Sequence, residues 1–427
     1  MDVTKTKPSQ LGTKDLLDQP KTSTHRIQSI DVLRGIVMVI MALDHTRDFF
    51  LEVQTTAASN LAVGPTDMDS TYPALFFTRW ITHFCAPIFV FLTGASAWLM
   101  GQKKSKGELS LFLIKRGFWL LFVEFFIIAF GWTFNPLFNV FILQVIWAIG
   151  VSMIILGLLV NLSWKFILAI GLIIVFGHNL MDFPSISAGL KGSVFADLAY
   201  FSNFAFHSLD PSNPNSFLGS RFILIVYSFL PWTGLMCLGY CFGRIYGKDF
   251  DPQRRRKLLL IMGSAITALF FILRTINVYG DPLPWSVQSR GWEITVLSFL
   301  NANKYPVSLI FLCMTIGPAM IALAFLENLR NWFTKVMNVY GRVPLFYYIL
   351  HFYILHIVMV IVFFVSGYSA KDIITPNSPF LFKPPDFGFS LLGVYLVWLF
   401  VVIVLYPLCK WYDRYKSTHK KWWLSYL

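Results

Sequence analysis

Stretches of about twenty apolar residues recur along this chain, and their recurrence constrains it more than any single motif. A helix that crosses the hydrocarbon layer needs about 20 predominantly apolar residues. Windows of that kind fall at 30–50, 73–100, 109–131, 137–160, 163–180, 219–246, 256–277, 303–326, 343–366 and 388–410. They predict an all-α integral membrane protein of about ten transmembrane helices, because a helix satisfies its own backbone polar groups where no water can. Window 163–180 is short, and 327–342 reads as an interfacial helix. Composition agrees: 13% of the residues are charged, against about a quarter in a soluble domain.

Charge orients the windows. The segments on the side of the N-terminus hold 22 Lys and Arg, and the opposite loops hold four, Lys191, Arg290, Lys371 and Lys383. The positive-inside rule then predicts that both termini are cytoplasmic. The net charge of +13 is thereby a membrane-face charge, which excludes nucleic acid as the expected partner and favours contact with membrane lipids. Residues 1–25 are polar, with no apolar run for a signal peptide, and read as a disordered cytoplasmic tail. Residues 26–411 form one membrane domain, and 412–427 a basic cytoplasmic tail. The five cysteines lie in or at the ends of apolar windows, so neither a disulfide framework nor a metal site is expected.

Several charges sit where lipid would reject them. An ionisable group inside a membrane costs roughly 2.5–3.5 kcal/mol on insertion scales and faces a partner or a wet cavity. In the first window, Arg34 and His45 are eleven residues apart, about three helical turns, and share a face. Asp31 precedes Arg34 by a turn, and Asp44 adjoins His45. In the second window Arg79 and His83 are spaced i, i+4. In the ninth, Tyr347 and His351 share a face. The small-residue run around Gly94 and Ser96 admits a close helix or a thin substrate arm. Lys115, Arg116 and Arg244 lie in helix ends, suited to a phosphate-bearing donor. The loop with Asp281, Trp285 and Lys304 combines aromatic and hydrogen-bonding groups, as a sugar-binding rim would; an ordinary interfacial belt contains the same residues.

Ser29-Ile30-Asp31-Val32-Leu33-Arg34-Gly35 resembles the opening S-x-D-x-x-R-G of a bacterial membrane acyltransferase family related to heparan-alpha-glucosaminide N-acetyltransferase. Phe89-Val90-Phe91-Leu92-Thr93-Gly94-Ala95-Ser96 is similar to its F-x-F-x-x-G-x-S stretch. The interval from Arg34 to His45 also looks like the Arg-x10-His signature of acyltransferase-3 families. The resemblance implies a cytoplasmic acetyl-CoA or other acyl-CoA donor, a sugar or glycan acceptor across the inner membrane, and a multi-pass enzyme; an oligomer is compatible with it. The chain departs from the lysosomal relatives in having no His between 46 and 82, so His45 rests on the Arg-x10-His likeness and His83 is its rival.

Acyl transfer needs a base near the attacking group and positive charge near the developing oxyanion. His45, oriented by Asp44, by Asp48 or by another helix, meets the first need, and Arg79 or Arg34 the second. Two other classes use similar residues: a proton-coupled transporter or flippase, and a non-catalytic membrane scaffold. Against a carrier, the two halves of the chain show no internal repeat.

Overall fold

The structure, a computed structural model, describes residues 27–52, 65–374, 380–384 and 387–425. The expected N-terminal tail lies outside these residues. The described chain is predominantly helical. Six stretches are long and apolar enough to cross a membrane: Pro73–Gly101, Trp164–Asp182, Pro252–Ile276, Leu309–Leu326, Pro344–Val365 and Leu391–Thr418. The last is continuous through residue 411.

The remaining expected windows depart from plain apolar helices for identifiable reasons. Helix α1, Gln28–Phe50, is long enough but carries Asp31, Arg34, Asp44, Arg47 and Asp48. It nevertheless lies inside the fold, packed by α2 (Pro73–Thr82), α3 (Cys85–Gly101), α13 (Leu309–Leu326), α14 (Trp332–Arg342), α15 (Pro344–Val365) and α16 (Leu391–Thr418). A helix enclosed by protein can hold charges that a lipid-facing one cannot. Its crossing with α14 is close. A Cβ on Gly35 would lie 1.8 Å from the Met337 carbonyl oxygen, and one on Gly341 1.7 Å from that of Asp31.

The second window is two helices. α2 stops at Thr82 and α3 begins at Cys85, because Pro87 has no N–H to bond the His83 carbonyl and its ring crowds that turn. In the third window α4, Lys106–Phe122, passes through a π-helical stretch, Val123–Ile128, into α5, Ala129–Thr133. Windows 137–160 and 219–246 open as strands rather than helices. β1 (Val140–Leu143) precedes α6 (Val145–Leu159), and β3 (Phe222–Ile225) precedes α10 (Leu230–Phe242). Ile223-Leu224-Ile225-Val226-Tyr227 is rich in residues that favour strands, and Pro231 suits only the first turn of the helix that follows. β1 runs parallel to β3, which pairs antiparallel with β2 (Ala205–Ser208). The expected all-α fold thus carries one small sheet.

Between α7 (Trp164–Gly177) and α10 lie two short helices, α8 (Pro184–Ser187) and α9 (Val194–Ala196). α11 (Pro252–Ile276) packs on α13, and α12 (Trp292–Leu300) contacts α2. α11 and α16 turn large apolar side chains outward, among them Phe271, Ile272, Leu396 and Ile403. In water such a surface would be unfavourable, whereas hydrocarbon accepts it.

Candidate active site

His45 and His351 meet at the centre of the bundle. Nδ1 of His45 is 2.6 Å from Nε2 of His351, and the rings stack with centroids 4.9 Å apart. His351 is fully buried and His45 is 7% exposed. Trp132 and Phe352 close around His45, with ring centroids at 5.4 and 4.4 Å. The hydrogen-bond network settles the proton positions. Nδ1 of His351 is 3.2 Å from the Tyr347 carbonyl oxygen, which can only accept, so that nitrogen carries the hydrogen. A neutral His351 then presents Nε2 as an acceptor, and Nδ1 of His45 donates to it. The lone pair of His45 is left on Nε2, where a base needs it.

A cavity lies below this pair. Met38 and Met41 line it from α1, on the face that continues to His45. Pro344, Leu345 and Tyr348 line it from α15, on the face that continues to His351. Phe89 and Thr93 of α3, Arg116 and Leu120 of α4, and Val145, Ile146, Ile149 and Met153 of α6 complete the wall. Its space amounts to about 560 Å³, solvent at its mouth included. Arg116 is the one charged residue among these. Neither histidine lines the cavity; Tyr348 does, and its ring stands 6.1 Å from that of His45, so the pair lies next to this part of the wall.

Asp44 does not orient His45. Adjacent helix residues point about 100° apart, and the Asp44 carboxylate faces α2 instead. Nη1 of Arg79 lies 2.6 Å from both of its oxygens, Thr82 Oγ1 donates to Oδ1 at 2.9 Å, and Nη2 of Arg47 is 3.0 Å from Oδ1. Lys304 adds positive charge to this group, with its ammonium 5.2 Å from the Tyr305 ring centre. Asp48 is paired with Arg47 at 2.5 Å, so the expected carboxylate partner of His45 is replaced by His351 from another helix.

The other sequence candidates separate. Arg34 donates to Asp31 at 3.2 Å, to the Leu92 carbonyl at 3.1 Å and to the Ser96 hydroxyl. Eleven residues along α1, about 16 Å, keep it from His45. Gly94 faces α10, where a Cβ would meet the Met236 carbonyl oxygen at 2.2 Å; it serves helix packing, and Thr93 is the residue that reaches the cavity. Lys115 and Arg244 are exposed, and Arg244 stacks over Trp164 at 4.1 Å, whereas Arg116 lines the cavity. His83 ends α2 with its ring 5.2 Å from Phe311 and its Nδ1 without a hydrogen-bond partner among the described residues.

Asp281 and Trp285 fasten their own loop. The Asp281 carboxylate accepts from the backbone N–H groups of Leu283 and Asn303, each at 2.9 Å, and Trp285 donates to the Arg274 carbonyl at 2.8 Å. Burial pushes the Asp281 carboxyl above its ordinary value, while Arg274 and these N–H groups oppose the shift. Tyr347 adjoins His351, with ring centroids 5.8 Å apart.

Sequence reasoning passed over Glu124, Tyr348 and the pairing of His351 with His45. Glu124 had a signal, as the single acidic residue in window 109–131. Tyr348 and the pairing had none, because they depend on how α1 and α15 pack.

Comparison with known proteins adds the family. No curated protein matches the chain. The profile described as heparan-alpha-glucosaminide N-acetyltransferase, catalytic, matches residues 26–279, a stretch that contains α1 with His45 and the cavity walls from α3, α4 and α6. His351 lies beyond it. With more than half its length matched and six helices apolar enough to cross a membrane, the chain belongs to the heparan-alpha-glucosaminide N-acetyltransferase catalytic family.

Proposed function

We propose that the protein is an inner-membrane acyltransferase that moves an acetyl or short acyl group from cytoplasmic acyl-CoA to a sugar or glycan acceptor on the far side. The observation that supports this reading is the histidine pair beside Tyr348, a wall residue of a cavity bounded by α1, α3, α4, α6 and α15. The donor's arm occupies the cavity with its thioester near His45, and Arg116 meets its charged part. Nε2 of His45 takes a proton from the acceptor amine or hydroxyl as that atom attacks the thioester carbon. The C–S bond breaks, and His45 returns the proton to the leaving thiolate. While His45 is charged, His351 Nε2 accepts a stronger hydrogen bond from Nδ1, which stabilises the ion. Arg79, Arg47 and Lys304 outweigh Asp44 and contribute positive potential toward the oxyanion. Residues 103–106 and 254–257 then lie in the cytoplasm, with both termini.

The experiment is transfer in sealed vesicles containing the full chain, with radiolabelled acetyl-CoA supplied on one face and glucosamine, as probe acceptor, on the other. Label on the amino sugar only when acetyl-CoA meets the face bearing residues 103–106 supports the assignment. Absence of both acetyl-CoA binding and transfer by folded protein overturns it, and transfer with the faces reversed overturns the topology.

A further inference from the structure

Glu124 is fully buried in the π-helical stretch between α4 and α5. A π-helical stretch inside an α-helix is uncommon and is found disproportionately at functional sites. One carboxyl oxygen, Oε1, accepts the Gln144 backbone N–H at 2.6 Å, at the entry to α6. The other, Oε2, is buried with no hydrogen-bond partner among the described residues, and so is the Tyr348 hydroxyl. The two groups act on each other electrostatically.

Tyr348 is part of the cavity wall, and Glu124 sits behind that wall rather than in it, between two further wall residues: Leu120 one turn earlier, and Val145 next to the N–H that Glu124 binds. The rest of that wall is apolar at this level. A buried polar group left without a partner is costly, and two such groups near one cavity ask for a ligand that satisfies both. Anchoring α6 explains Oε1 and leaves Oε2 and the phenol unexplained.

In either protonation state of Glu124 the pair offers one hydrogen-bond donor and one acceptor. An ionised carboxylate accepts while the phenol donates; a protonated carboxyl donates while the phenol oxygen accepts. A secondary amide, with its N–H and C=O, is the complement of such a pair. We propose that Glu124 and Tyr348 hold a secondary amide of the donor at this part of the cavity wall, namely the amide separated from the thioester sulfur by two methylene groups. The inference rests on the acyl-CoA reading above and names a subsite within it. Tyr348 also stands beside the histidine pair, its ring 5.4 Å from that of His351, so an amide held there sets the thioester against His45. Both groups are positioning residues, since neither touches the bond that breaks.

Competition against acetyl transfer from radiolabelled acetyl-CoA to glucosamine, by the full chain in nanodiscs, tests this. The competitors are S-acetyl-N-acetylcysteamine, which carries the amide, and S-pentyl thioacetate, which has the same length without it. The expected result is that the amide competitor is at least about tenfold more potent against the wild type. Tyr348→Phe should bring the two to near parity without lowering thermal stability, because the hydroxyl it removes has no hydrogen-bond partner among the described residues. Glu124→Leu should also erase the preference, with some loss of stability from the uncovered Gln144 N–H. Equal potency in the wild type, including no inhibition by either compound, overturns the inference, as does a preference that survives Tyr348→Phe. Failure of acetyl-CoA itself to donate overturns the functional reading and this subsite with it.

Discussion

His45→Ala and His351→Phe should fail to different degrees, because the first removes the base and the second only its support. A positioned base contributes about 10²–10⁴-fold in rate, which at about 1.36 kcal/mol per tenfold is roughly 2.7–5.4 kcal/mol. His45→Ala should lose that much in kcat while acetyl-CoA still binds, since the base acts on the acceptor's proton. His351→Phe keeps an aromatic ring in the stack but removes the acceptor 2.6 Å from His45 Nδ1. A hydrogen bond to a group that becomes charged contributes about 1.5–3 kcal/mol, so the expected loss is about 10- to 150-fold. His351→Gln offers a side-chain oxygen to the same Nδ1–H and should recover part of the rate, whereas a purely steric role for His351 predicts that Phe performs better than Gln. The assay is acetyl transfer from acetyl-CoA to glucosamine by protein in nanodiscs, with acetyl-CoA binding measured alongside. Rate should fall at low pH in the wild type, as His45 gains a proton and ceases to act as a base. Near-normal turnover by His45→Ala together with an inactive His83→Ala would refute the reasoning and move the base to the end of α2.

The remaining predictions concern the surroundings of the pair. Asp44→Asn should destabilise the fold by about 3–5 kcal/mol, since it leaves Arg79 and Arg47 buried without their shared carboxylate; thermal unfolding reads the loss, and wild-type stability would show that these cations find other partners. Arg116→Ala should weaken acetyl-CoA binding by about 10- to 150-fold, the range for a hydrogen bond to a charged group, while Lys115→Ala and Arg244→Ala leave it unchanged; equal effects in titration calorimetry would displace the donor from this cavity. Gly35→Val should lower the melting temperature sharply, because its Cβ would fall 1.8 Å from the Met337 carbonyl oxygen and the clash is with backbone that cannot rotate away. An unchanged melting temperature would show that α1 and α14 separate freely.

Much of the architecture was legible from residue pattern. Apolar windows located the long helices α11 and α15 within four residues at each end, and found α13 and α16 with one end six and eight residues off, because spanning length and hydropathy are properties of a local stretch. Window 219–246 misled, since apolar content alone does not distinguish a strand from a helix. The β-branched run before Pro231 marks the switch. The break between α2 and α3 had a local marker in Pro87, whereas the π-helical stretch holding Glu124 had none.

The site divided along the same line. Sequence by itself determined that Arg34, Asp44, His45, Arg79 and His83 needed partners, because ionisable groups in apolar helices are tolerated only when something answers them. It also placed Arg34 and His45 on one face of α1, and Met38 and Met41, which lie between them on that face, line the cavity. Tertiary structure alone decided which partner each group took. Asp44 neighbours His45 in the chain, yet the helical rotation between adjacent residues sends it to Arg79 on α2. His351 is 306 residues from His45 and reaches its ring nitrogen, because α15 packs beside α1 with its Tyr348–His351 face inward. Periodicity fixes the direction of a side chain about its own helix axis, and only the packing of one helix against another brings two such directions to a common point.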